Sequence, residues 1–149
     1  MAQILYNLKI EPRNILIINE DCWYDFNAFK CMLQGIPHDV PNVAIHLELD
    51  NKRLVYATDT SKIEHLDAKG YDYYFIEGNY KEKELQERKE EKMKNGEFVI
   101  EDRVANSHLS YEQCLEFFIN NAKDSSILEV MHQHKSEGKE GELWTTQKR

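Results

Sequence analysis

Proline and glycine are scarce, three and six residues in a chain of 149. That leaves little material for a flexible linker, and the length suits one domain rather than two. Cysteine is as rare. Cys22, Cys31 and Cys114 are an odd number and include no CxxC pair, which argues against a disulfide framework or a zinc knot and for free, buried thiols in a reducing cytoplasm. No apolar run approaches the ~20 residues of a membrane span, and residues 1–20 lack a secretory pattern. A cytoplasmic protein with no membrane partner is therefore expected. There is no excess of basic charge: 19 Lys and Arg stand against 27 Asp and Glu, for a net charge of −8. That balance disfavours a scaffold gripping nucleic acid by bulk charge, but not a nuclease that holds phosphates through bound cations. Internal repeats are also missing. What remains is a composition 41% hydrophobic and 31% charged, too apolar for a solvated coil and long enough for its own core.

The patterning predicts strands first and helices later. Residues 14–19 (NILIIN) read as a short buried strand, and residues 24–33 as a second. Val43, Ile45, Leu47 and Leu49 alternate with polar residues, a period of two that indicates a half-buried strand. Asp50-Asn51-Lys52 is a turn, after which 53–57 (RLVYA) returns as the other arm of a hairpin. The nearly continuous apolar run 71–77 (YDYYFIE) predicts a strand buried on both faces. Asn79 can cap a charged surface helix that stops at Asn95-Gly96, with Leu85 and Met93 as its apolar contacts. Ser110 and Gln113 form a capping box for a second helix, whose Leu115, Phe118, Ile119 and Ala122 make a core-facing stripe. Residues 126–131 close the order as a strand, and 136–149 form a polar tail expected to fray, leaving a single domain over 1–135. Strands, two helices and a strand indicate an α/β, or layered α+β, architecture.

Chemistry concentrates where strands give way to loops. His38-Asp39-Val40-Pro41-Asn42 follows the second strand, Thr58-Asp59-Thr60 follows the fourth, and Asn106-Ser107-His108 precedes a capped helix. A sheet fixes the backbone while the loop frees an imidazole or carboxylate to meet a metal. Taken singly, each residue has a plain structural reading: Asp59 capping a turn, His38 in an ordinary loop, His108 bonding nearby backbone. No HxxxH or HExxH spacing binds them together. A thiol enzyme using Cys22 or Cys31 ranks lower, since no base is positioned by sequence. The mixed Lys/Glu pattern of 80–94 likewise ranks a nucleic-acid-binding module lower.

The phrases HDVPN, YATDT, YFIEGNY and NSHLSYEQ, in that order, resemble the C-terminal half of metallo-β-lactamase-fold hydrolases. The resemblance is to a bacterial and phage branch of phosphodiesterase-like or exonuclease-like members, and it runs from about Asp25 to His134. It implies a partial αββα sandwich, one sheet with flanking helices. It also implies metal ligands at His38, Asp59 and His108, with Asp59 as the bridging, catalytic carboxylate. The cofactor implied is a divalent metal, zinc or manganese, which would activate a water. Asp39, Glu77 and Asn79 are candidates for orienting the ligands, and His132 and His134 for the rim of the site. The family's HxHxDH motif is not found: no histidine precedes His38, and the only HxH is His132-Gln133-His134.

The chain is thus expected to be a truncated member, catalytically incomplete alone, binding metal weakly or not at all. A complementary N-terminal half on another polypeptide, or a second copy packed sheet on sheet, would cover the inner face of its sheet, and the N-terminal 37 residues folded back would cover part of it. The first arrangement gives a hydrolase of phosphodiester or nucleotide-like substrates, with nucleic acid entering only as substrate. The alternative is a non-catalytic binding or interaction module that uses the exposed sheet.

Overall fold

A computed structural model describes residues 11 and 15–133, and the backbone of 145–147. The elements in chain order are β1 (Tyr24–Asp25), β2 (Lys30–Ile36), β3 (Asn42–Leu49), β4 (Lys52–Ala57), β5 (Tyr73–Glu77), α1 (Glu82–Asn95), α2 (Glu101–Ser107), α3 (Tyr111–Asn121), β6 (Ile127–Met131) and β7 (Thr145–Gln147). The strands form one seven-stranded sheet in sequential order. β1 to β4 are antiparallel neighbours, β4, β5 and β6 run parallel, and β7 returns antiparallel.

The hairpin between β3 and β4 follows from local chemistry. Asp50 and Asn51 both take positive φ, 49° and 60°, and short polar side chains tolerate that conformation best. β4 to β5 and β5 to β6 are parallel, so each join is a crossover that lays chain over a sheet face. The second crossover carries α1, α2 and α3. Ser110 caps α3: Gln113 N–H donates to its hydroxyl at 3.1 Å, and Ser110 N–H donates to Gln113 Oε1 at 2.9 Å. Cys114, Phe117 and Phe118 of α3 then enter the core with Val55, Tyr74, Ile76 and Leu128. The loop after β4 adds Ile63, Leu66 and Tyr71 to the same cluster. Burial alternates along the strands accordingly. In β4, β5 and β6, residues Val55, Tyr74 and Leu128 are buried, while Leu54, Tyr73 and Ile127 on the other face are half-buried.

Several expectations need correction. Residues 15–19 form no strand, and Ile17 is 87% exposed. An apolar run becomes a strand only when a neighbour completes its ladder, and none of the described residues pairs with it. The strand expected over 24–33 is broken into β1 and β2 by a tight turn at Asn27, whose φ is 64° and whose N–H donates to Asp25 Oδ1 at 2.8 Å. Asn79 is not a helix cap: α1 opens at Lys81 without a side-chain cap, while Gly96 does close it in the left-handed conformation. Leu85 is buried, but Met93 is 63% exposed. In α3, Ile119 faces solvent, and Cys114 and Phe117 are the buried residues beside Phe118. The short helix α2 has no counterpart in the sequence reading. Of the thiols, Cys31 and Cys114 are buried, but Cys22 is exposed. Most of the tail over 136–149 lies outside the described residues, although the backbone of β7 pairs with β6.

Candidate metal centre

The parallel strands β4, β5 and β6 all end at one edge of the sheet, and that edge brings the site together. Asp59 lies two residues beyond β4, Glu77 is the last residue of β5, and His132 follows the last residue of β6. His108 arrives from the other direction, between α2 and the Ser110 cap of α3. Crevices outside the carboxyl ends of parallel strands are where open α/β sheets place ligands, because loops diverge there around fixed backbone.

Asp59, Glu77, His108 and His132 each bring one ligand-type atom into a group whose atoms lie within 4.8 Å of one another. Glu77 is the hub and is fully buried. Its Oε1 lies 2.6 Å from His108 Nδ1 and 3.1 Å from His132 Nδ1. Its Oε2 accepts the Thr60 N–H at 3.0 Å. Asp59 Oδ1 is 3.1 Å from His132 Nδ1 and 4.0 Å from His108 Nδ1. Asp59 and His132 are each about half exposed, so the group opens to solvent on one side.

The backbone under these residues is strained and held. Asp59 has φ 54° and His132 has φ 51°, a left-handed conformation costing a residue with a side chain roughly 1–2 kcal/mol. Asn42 compensates at Asp59, its amide donating to Thr58 O at 2.8 Å and to Asp59 O at 2.9 Å. Asn79 does the same for His132, donating from Nδ2 to its carbonyl at 3.2 Å. Gly78 lets the strands close up here, since a Cβ on it would meet Val130 Cγ1 at 2.5 Å.

His38 stands next to the group rather than in it. Its ring centroid is 5.4 Å from that of His108. Its Nδ1 lies 3.1 Å from Ser107 O, and a carbonyl can only accept, so Nδ1 carries a proton. Its Nε2 lies 3.0 Å from Asp39 Oδ1. Asp39 in turn accepts from Arg103 at 3.1 Å. The Arg103 hydrogen bond and the adjacent His38 hold the Asp39 carboxyl below the usual carboxylate range. Beneath the site, burial pushes the Cys114 thiol up to about 12, with the charge of Glu77 adding to the effect. That thiol is a packing group and not a nucleophile.

Of the residues the sequence pointed to, Asp59 and His108 therefore meet, His38 and Asp39 flank them, and Glu77, Asn79 and His132 lie at the centre or directly support it. His134 lies outside the described residues. The sequence reading put Glu77 and His132 at the margin. The available signal for Glu77 was a carboxylate at the end of a strand with no polar alternation, where only a paired or ligand-bound charge survives burial. The donor set of two imidazoles and two carboxylates could hold a metal ion.

Comparison with solved structures places this architecture. The metallo-beta-lactamase fold protein YhfI from Bacillus subtilis superposes with a TM-score of 0.61 at 15% identity, over 91% of this chain and 51% of that one. The short form of human tRNase Z superposes with a TM-score of 0.55 at 12% identity, over 85% of this chain and 44% of that one. The fold is metallo-β-lactamase-like. This chain spans about half the length of those structures. No protein-family model matches the sequence, and no curated protein does. Among the described residues, no helix is long and apolar enough to cross a membrane.

Proposed function

We propose that this chain carries part of a divalent-metal hydrolase centre that acts on a phosphodiester, in a nucleic acid or a nucleotide. The observation that carries the reading is the convergence of Asp59, Glu77, His108 and His132, which come from four separate segments, at one sheet edge. Chance surface acids do not bury one carboxylate completely and aim two imidazoles at it. A bound divalent cation would supply an activated water and polarise the phosphoryl group. Of this chain's own residues, Glu77 fixes the orientation of both imidazoles, Thr60 N–H satisfies the second oxygen of Glu77, and Asn42 and Asn79 hold the Asp59 and His132 backbones. The half-exposed Asp59 is the carboxylate able to reach a metal and substrate together.

The phosphodiester class draws on the resemblance of the HDVPN-to-NSHLSYEQ phrases and on one fold neighbour being named a tRNase. A polypeptide carrying the complementary half of the sandwich, or a second copy of this chain, would cover the half-exposed sheet face and add ligands that the present set lacks. Without it, the expected activity is low. A second reading, a non-catalytic interaction module, draws on that same face, where Leu54, Tyr56, Tyr73 and Phe75 are only partly covered.

Calorimetric titration with Zn²⁺ and Mn²⁺ tests the first reading. One equivalent is expected to bind, and Asp59→Ala or His132→Ala should weaken it by about 10- to 100-fold, as losses around metal ligands do. Heat-silent titrations with both metals, alone and with candidate complementary halves, would reject the hydrolase and leave the interaction module.

A further inference from the structure

A second concavity, of about 430 Å³, lies at the same sheet edge, where β2 ends and β3 begins. Pro37, Pro41 and Val43 give it apolar walls, and Asn42 and Glu20 supply its polar side chains. Asn42 is fully committed: its amide serves Thr58 O and Asp59 O, and its Oδ1 accepts the Val43 N–H. Glu20 is not. Among the described residues its carboxylate has no hydrogen-bond or ion-pair partner.

Glu20 is exposed to solvent, but the turn that carries it is anchored. Asp21 takes a positive φ of 59°, and its N–H donates to Leu33 O at 2.7 Å, which ties the turn onto β2. The Glu20 carboxylate then lies over Gly35, where a Cβ would meet Oε2 at 2.8 Å. A glycine inside a strand weakens it, and here its bare backbone makes room for an acceptor pair over the cavity. The same Asn42 that lines the cavity also grips the Asp59 backbone, so the cavity and the metal group are joined through one side chain.

We propose that this cavity is a nucleobase subsite, selective for a base that presents a ring N–H beside an exocyclic amine, as guanine does. Two carboxylate oxygens accept two parallel N–H donors in one plane, and proline and valine walls suit the faces of a flat heterocycle. The volume lies within the range of small-molecule sites. Adenine offers an unprotonated ring nitrogen to the carboxylate where guanine offers a donor, so it is rejected. The proposal deepens the phosphodiester reading and rests on it for one point only, that the attached phosphate lies toward Asp59.

Guanosine, inosine and adenosine, titrated into isotope-labelled protein without metal and followed by amide chemical shifts, provide the test. Guanosine is expected to shift the amides of Gly35, Asn42 and Val43 and to bind about tenfold more tightly than adenosine, the cost of mispairing a charged acceptor. Inosine, which keeps the ring N–H and lacks the amine, should fall between them. Glu20→Gln should abolish the preference, and Gly35→Ala should do so by displacing the carboxylate, while Zn²⁺ affinity stays within about twofold of the parent in Glu20→Gln. Equal binding of the three nucleosides, or a guanosine preference that survives Glu20→Gln, overturns the subsite. Because these nucleosides carry no phosphate, failure of the metal titration would reject the hydrolase reading and leave this result standing.

Discussion

β5 carries a buried carboxylate at each end, and the two ends behave differently. Asp72, just before Tyr73, is 5% exposed, and Glu77, its last residue, is fully buried. Asp72 is closed off by two permanent cations, Lys52 Nζ at 2.8 Å and Lys123 Nζ at 2.9 Å, and by the backbone N–H of Arg53 at 3.1 Å. Burial opposes ionisation there, but the Lys52 and Lys123 bonds outweigh it and hold the carboxyl far below the ordinary range. Glu77 has no lysine or arginine bonded to it among the described residues. Its neighbours are two imidazoles, a backbone N–H and a second carboxylate, Asp59. An acid neutralised by fixed cations fastens strands together. One surrounded by groups that can give up a proton and take a metal is a site. Charge alone does not separate the two cases; the partners do.

That contrast can be broken first at Glu77. Glu77→Ala is expected to lose metal binding by 100-fold or more and to destabilise the edge of the sheet by about 3 kcal/mol, since two imidazoles and Thr60 N–H lose their shared acceptor. Calorimetry and urea unfolding read the two effects separately. Asp72→Ala should cost about 2–3 kcal/mol in urea unfolding, because two ammonium groups and an amide lose a common partner. Its Zn²⁺ affinity should stay within about twofold of the parent; a larger change would mean that the two ends are coupled.

Acid titration sharpens the same difference. The folded-state pKa of Asp72 is depressed from an ordinary 3.8, so its stabilisation is fully present above that value. It is lost as the pH falls through the lower folded-state value. The stability gap between parent and Asp72→Asn, followed by urea unfolding, should therefore be constant from neutral pH down to about 5 and shrink progressively below 3.8. A gap that instead closes around pH 6–7 would assign the linkage to histidines.

Away from both ends the effects become local. Ser110→Ala removes the capping box of α3 and should cost about 1 kcal/mol in thermal or urea unfolding. It also loosens the backbone two residues from His108, so a small loss of metal affinity should accompany it. Ile119→Ala, on the solvent side of the same helix, should change stability by less than about 0.5 kcal/mol.

The residues behind these predictions were not equally readable in the chain. The Ser110 box and the Asp50-Asn51 turn are local devices, complete within four residues, and both stand in the structure where the sequence put them. The alternation from Val43 to Leu49 and the apolar run ending at Glu77 were readable as strands, but the buried face of β3 is the other one: Ala44 and His46 are fully buried, while Val43, Ile45 and Leu47 are half-buried and Leu49 is 52% exposed. The run over 14–19 has the same apolar content, but no described strand pairs with it, and content alone cannot supply a ladder. Asn79 has the chemistry of a cap, yet its side chain goes to the His132 carbonyl, 53 residues away.

The candidate site shows the same division. Asp59 and His108 were visible as metal-capable residues at element ends. Glu77 and His132 were visible only as marginal candidates, because nothing near them in sequence marks the group they join. The sequence by itself determined the α/β order, the hairpin, the capped helix and the kinds of side chain available at strand ends. Only the tertiary structure decided which of them meet. Three parallel strands must end at one edge before residues separated by 18, 31 and 24 positions can share one carboxylate-centred group. The same stacking decides that Asp72 meets lysines while Glu77 meets imidazoles, because partners across a sheet are set by register and crossover, and neither leaves a local mark in the chain.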